Sequence, residues 1–259
     1  MSCRTVMKIP GLFILLVMIL VSSVGCKSFK EQEDELPDNR RKGVIYVSAD
    51  ESFKPIIDEH VKVYESNYPG TKINVEYKPE AECLKDMLID SIRLVITTRT
   101  YHQDEKDFIV DSLRKSPRSM IVARDAIAVI VHPDSHDTLF TMSEIREILT
   151  GKYKKKLIPV FDGVKATSTV RFVIDSVLRG DSLTPEAMAA RSSEGVIDYV
   201  AKTPGVIGFI GVSWIGNPED SSHLSFLKKV KVVSLESTDI PDAYVKAYQA
   251  NIYIKRYPM

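Results

Sequence analysis

Cysteine is scarce in this chain: Cys3, Cys26 and Cys83 are the only three in 259 residues. They are too few and too scattered for a disulfide scaffold or a zinc site. Net charge is also lacking, since 35 Lys and Arg balance 35 Asp and Glu. No global basic field therefore recruits nucleic acid. No apolar run reaches the ~20 residues of a comfortable membrane span, which excludes a polytopic membrane protein. The glycine loops G-x-G-x-x-G and G-x-x-x-x-G-K-[ST] are missing, as are H-E-x-x-H and G-x-S-x-G. With them go the commonest nucleotide, zinc-protease and serine-hydrolase readings. His132 and His136 are four apart, but Pro133 interrupts a shared helical face, so a surface loop is expected there and no metal. Repeats of ~20–50 residues are not evident either.

What is present begins with an address. Arg4 and Lys8 precede an apolar run from Leu12 to Val21, followed by Ser22-Ser23-Val24-Gly25-Cys26. A positive start, a short apolar stretch and small residues make a secretory signal peptide over 1–25. The stretch ending at Cys26 resembles the lipobox of bacterial lipoproteins, which implies lipidation of Cys26; Ser23 departs from the bulky aliphatic residue usual there. Ordinary cleavage nearby, with Cys26 incidental, is the alternative. From Lys27 to Lys42 ten of sixteen residues are charged, with no apolar periodicity. Residues 26–42 are therefore expected to be a solvated tether.

From Gly43 strand-like and helix-like segments alternate. Val44–Val47 reads as a buried strand, and Asp50 and Ser52 as N-caps of a helix carrying Phe53, Ile56, Ile57, Val61 and Tyr64 on one stripe. Ile73, Val75 and Tyr77 alternate as in a strand. A helix near Glu80–Ile89, with Cys83 as a small core residue, then leads to a strand at Leu94–Ile96 and a helix at Asp104–Lys115. Met120–Ala123 and Ile127–Val131 are β-rich. Thr141-Met142-Ser143-Glu144 is a capping box whose helix stops at Gly151. A strand at Leu157–Phe161 precedes Thr167-Ser168-Thr169, where a helix to Leu178 begins. Glu194–Lys202 is helical, and Val206–Ile210 and Val230–Val233 are strands. Repeated βα units predict an α/β fold with a mostly parallel, helix-covered sheet, and the length favours two α/β lobes.

Hydroxyls gather at the predicted helix starts: Ser48 and Ser52, Thr97 and Thr98, and Thr167-Ser168-Thr169. Helix N-termini offer unpaired N–H groups and partial positive charge. Converging across a cleft they would make an anion cradle; singly each is a plain N-cap.

These residues carry a resemblance to the phosphate-binding receptor lipoproteins of bacterial phosphate ABC transporters. It runs from about Val44 to Ile254. Ser52-Phe53-Lys54-Pro55 resembles the first phosphate loop, where a hydroxyl and the next N–H meet the anion. Ile96-Thr97-Thr98-Arg99 is similar to a strand end bearing a hydroxyl and an arginine. Asp125 to Pro133 resembles the strand that crosses between lobes, and Gly205 to Gly211 the return crossing. Phe140-Thr141 through Leu149-Thr150-Gly151-Lys152 resembles the family's capped helix ending in T-G-K.

The resemblance implies a periplasmic-binding-protein type II fold, with lobe 1 at 43–124 and 209–259 and lobe 2 at 125–208. It implies phosphate or a related small oxyanion as ligand, an ABC transporter permease as partner, a monomer on a lipid anchor outside the cytoplasm, and neither cofactor nor enzymatic activity. Ligand-binding candidates are Ser52, Phe53, Arg93, Thr97, Thr98, Arg99, Thr167, Ser168 and Thr169. Three positions depart from the family. Its third loop is preceded by an arginine, where this chain has Lys165 upstream and Arg171 downstream. Its second loop is Gly-Ser-Ser, where this chain has Pro79-Glu80-Ala81-Glu82. It has an aspartate where this chain has Arg93, which has no acceptor for a protonated phosphate oxygen and either faces the ligand or pairs with Glu80 or Glu82. A lipoprotein that keeps the fold as an interaction or sensor module is the alternative function, and an enzyme on this fold a third.

Overall fold

The computed structural model describes residues 38–114, 116–163, 167–215 and 228–259. The signal peptide, Cys26, most of the tether and Lys165 lie outside the described residues.

The chain opens with β1 (Lys42–Asp50), a 3-10 turn (Glu51–Phe53) and α1 (Lys54–Asn67). Then come β2 (Gly70–Lys78), α2 (Glu80–Asp86), β3 (Ile92–Ile96) and α3 (Gln103–Leu113). The three strands form a parallel sheet in the order β2-β1-β3. Parallel neighbours need crossovers, and α1 and α2 supply them. Cys83 and Leu84 of α2 are buried with Val47 and Ala49 of β1, which makes Cys83 the core residue its pattern predicts. Asp50 caps the 3-10 turn, but Ser52 lies inside that turn and caps nothing. The β-rich Met120–Ala123 forms no strand. Met120, Ile121 and Val122 are 82%, 85% and 79% exposed, and among the described residues no strand lies beside them to complete a ladder.

The second part contains β4 (Ile127–Val131), β5 (Leu139–Phe140), α4 (Met142–Thr150) and β6 (Ile158–Phe161). Next is α5 (Ser168–Phe172), which continues as a π-helical turn, Val173–Leu178. After it come β7 (Met188–Ala189), α6 (Ser193–Lys202), β8 (Val206–Gly211), β9 (Lys231–Val232), β10 (Ser234–Glu236), β11 (Tyr244–Val245) and α7 (Gln249–Tyr253). A five-stranded sheet runs β7-β6-β8-β4-β9, and a small one runs β11-β10-β5. Every residue of β4 and β8 is buried, as in central strands covered on both faces. The capping box forms as read: Thr141 Oγ1 accepts from Glu144 N–H, and Glu144 accepts from Thr141 N–H. Gly151 ends α4 with φ 74°, a left-handed conformation that suits glycine.

The C-terminal strands join the second part of the chain: β9 pairs with β4 and β10 with β5. Val230, Val233, Leu235, Tyr257 and Met259 are buried in the same core as β4 and β8. Tyr257 Oη donates to the Ile127 carbonyl at 2.8 Å, and Ile127 N–H donates to the Met259 carbonyl at 3.3 Å. Apolar burial and these two bonds hold the chain end against the start of β4.

Gly208 marks a tight approach in that core. A Cβ there would lie 2.8 Å from carbons of Ile130, Val196 and Val200. Gly208→Ala is therefore expected to destabilise the fold by about 1–3 kcal/mol through overpacking. A lowered denaturant midpoint at constant slope checks this; an unchanged midpoint refutes it.

Candidate functional site

Parallel α/β sheets bind ligands outside the carboxyl ends of their strands. Here three such ends meet: β1 runs into Asp50, β3 into Thr97-Thr98, and β6 into Asp162 and the loop to α5.

At the first end, Asp50 accepts from Ser52 N–H at 2.9 Å and from Ser52 Oγ at 2.5 Å. Ser52 Oγ lies 2.9 Å from Ser168 Oγ, although 116 residues separate them. With the Ser52 hydroxyl donating to Asp50, the Ser168 hydroxyl donates to Ser52. Thr167, Ser168 and Thr169 are all buried, and Thr167 caps α5 by accepting from Val170 N–H at 3.4 Å. Phe53 is half-buried at the point where α1 begins.

At the second end the bond pattern resembles a held anion, but the holder is Glu80. Its carboxylate accepts from Thr98 N–H at 3.0 Å, from the Thr98 hydroxyl, and from Arg171 Nε at 2.7 Å. Arg171 also donates to Thr98 Oγ1 at 2.6 Å. Burial pushes Glu80 up, but the bonds from Arg171 and Thr98 outweigh it and hold the carboxyl below its ordinary value.

Some expected ligand residues are engaged elsewhere. The Thr97 hydroxyl donates to the Arg99 carbonyl at 2.9 Å, and Arg99 grips Glu105 with two bonds of 2.7 Å. Ser48 donates to Asp86 at 2.7 Å. Arg93 pairs with neither Glu80 nor Glu82; it sits mostly in solvent, 2.7 Å from Asp38. The convergent set is thus Ser52, Ser168 and Thr98, joined by Arg171.

The sequence reading missed a group of carboxylates. Asp50 and Asp162 are buried, Asp125 is solvent-exposed, and Asp50 lies close enough to act on the other two. Burial raises Asp50 and Asp162, and Asp162 is held at about 7, with Glu51 and then Asp50 pushing it further upward; Asp50 also pushes Asp125 upward. A Cβ at Gly211 would sit 3.2 Å from Ser52 and 3.5 Å from an Asp125 oxygen, which places Asp125 beside the serines. Glu51 is raised by burial as well, although Ser193 at the N-terminus of α6 donates to it at 2.8 Å. The available signal was position: Asp162 directly follows the predicted strand Leu157–Phe161, and Asp50 closes β1 a little beyond the predicted strand Val44–Val47.

The sequence pattern of the PBP superfamily domain matches residues 36–259, so the chain belongs to that superfamily. A Clostridium perfringens structure, described as a phosphate ABC transporter substrate-binding protein with bound phosphate, aligns with a TM-score of 0.68. It is 17% identical over 84% of this chain and 83% of that one. An ABC-type phosphate transport receptor from Vibrio cholerae aligns at 0.50, with 17% identity over 82% of each chain. A sulfate-bound variant of the OxyR2 regulatory domain from Vibrio vulnificus aligns at 0.53, with 11% identity over 80% of this chain and 85% of that one. At such identities these likenesses establish the fold. No curated protein sequence matches the chain.

The carboxylates give the fold an unusual pH dependence. Unfolded, Asp162 releases its proton near the ordinary aspartate value of about 4; folded, it holds the proton to about 7. Between those values the native state binds more protons, so stability falls as pH rises. The raised Asp50 and Glu51 act in the same direction, while the lowered Glu80 acts oppositely and only below the ordinary glutamate range. Denaturant melts are expected to show stability lower at about pH 8 than at about pH 5, by on the order of 1–3 kcal/mol, with Asp162→Asn flattening the fall. A flat parent profile, or an equally steep variant, refutes this.

Proposed function

We propose that the protein is an extracytoplasmic solute-binding receptor that captures a small oxyanion, phosphate foremost, and presents it to an ABC transporter permease. The observation that carries this reading is the meeting of Ser52 with Ser168 and of Thr98 with Arg171 across the two parts of the chain. Hydroxyl and guanidinium donors of this kind satisfy the unprotonated oxygens of such an anion. The superfamily and the phosphate-bound Clostridium perfringens neighbour point the same way. In this reading two lobes close over the ligand without chemistry, as hinge-closing receptors do. The β1–β3 sheet forms one lobe and the five-stranded sheet the core of the other. The protein works as a monomer, held on the membrane by a lipid at Cys26, and binds no nucleic acid. No helix among the described residues is long and apolar enough to cross a membrane.

Glu80 favours a second reading. A carboxylate already engages Arg171 and Thr98, as a non-transport interaction or sensor lipoprotein with a degenerate anion site would have it.

Ser52→Ala separates the two. Loss of a charge-assisted bond contributing about 1.5–3 kcal/mol is expected to weaken phosphate binding by about tenfold or more. Arg93→Asp, remote from the serines, is expected to leave affinity and phosphate-over-sulfate preference unchanged. Titration calorimetry decides: unaltered affinity in Ser52→Ala contradicts the proposed site, and no anion binding by the parent favours the sensor reading.

A further inference from the structure

The charges around the serines do not balance. Arg171, on α5, is matched by Glu80 at 2.7 Å and flanked by Asp175 at 3.6 Å. Lys54, on α1, is drawn to Asp58 at 2.8 Å. Glu51, in the 3-10 turn, is satisfied by the Ser193 N–H and hydroxyl at the start of α6. That leaves Asp50 at the end of β1, Asp125 before β4 and Asp162 after β6, none with a cation in an ion pair among the described residues. Asp50 and Asp162 are 1% and 7% exposed, and among the described residues Asp50 Oδ2 and Asp162 Oδ1 have no hydrogen-bond partner. An ionised oxygen buried without a donor is unfavourable, and an incoming anion makes it more so.

Two cations could relieve this, a metal ion or a proton. Among the described residues no three carboxylate, histidine or cysteine groups are arranged to hold a metal. A proton needs no such geometry. It also turns an acceptor into a donor, which is what an oxyanion requires.

We propose that the cleft captures its oxyanion together with a proton, and that Asp162, as a carboxylic acid, donates a hydrogen bond to the bound anion while Asp50 shares the proton load. The proposal rests on the oxyanion-receptor reading and adds the way an acidic cleft accepts an anion. The balance is simple: one proton leaves the buffer, a carboxylate becomes a carboxylic acid, and no bond in the anion is made or broken. Near neutral pH the step is accessible, because burial already holds Asp162 at about 7.

Sulfate is the telling probe, because it stays fully ionised across neutral pH and cannot bring the proton itself. Calorimetric titration of the whole protein with sulfate, and separately with phosphate, is run in buffers of contrasting ionisation enthalpy at about pH 8. The sulfate heat is expected to change with buffer by an amount corresponding to about one proton taken up per anion, and affinity to fall by up to about tenfold per pH unit above neutrality. Asp162→Asn, which keeps a donor but cannot titrate, is expected to bind with a flattened pH slope. Because the wild-type buffer comparison stands alone, the test survives a variant that fails to fold. Binding whose heat ignores the buffer, or a folded Asp162→Asn with an unchanged slope, overturns the inference and leaves the receptor reading standing. No binding of either anion at any pH overturns the receptor reading and this inference with it.

Discussion

Glu80 and Arg171 form the ion pair on which the arrangement of the site depends. Glu80 stands at the first turn of α2, against the N-terminal sheet, and Arg171 lies on α5, beside the five-stranded sheet. Their 2.7 Å contact, with Thr98 bonded to both, spans the gap between the two parts of the chain. Removing one partner of a buried pair commonly costs about 3–5 kcal/mol, because the other charge is left unmatched. Arg171 is about one-third exposed, so solvent screening places this pair at or below the lower end. The Ser52–Ser168 bond lies on the same seam and is fully buried. Both contacts join loops at the carboxyl ends of parallel strands, where backbone direction brings polar side chains together without disturbing the core.

Burial of uncompensated carboxylates is the second constraint. A protein interior accepts an aspartate that is paired, hydrogen-bonded or protonated. Asp86 is ionised and matched, with Lys78 at 2.8 Å and Ser48 at 2.7 Å. Asp50 is half-matched by Ser52, while Asp162 is raised toward neutrality. The contrast separates a structural acid from a set whose protonation depends on what enters the cleft.

Much of this was legible in the sequence because it is written locally. The capping box at Thr141, the stop at Gly151, the helix from Thr167 and the fully apolar β4 and β8 depend on neighbours within a few residues. The serine and threonine loops were found for the same reason. What escaped was long-range. Nothing near Arg93 announces that it turns to Asp38, and nothing near Glu80 announces Arg171, 91 residues away. The fate of Met120–Ala123 was equally hidden, since a β-rich sequence becomes a strand only beside a partner. The C-terminal strands read correctly as apolar, but apolarity does not say which sheet they join.

The account holds that Glu80 takes donors an oxyanion would use, and one titration tests this directly. Glu80→Ala frees Arg171 and Thr98 and removes a negative charge from the cleft. In protein verified as folded, phosphate is predicted to bind this variant more tightly than the parent, by about tenfold if a single charge-assisted bond is regained. Weaker binding, or none, would contradict the account and make Glu80 part of the ligand's own site.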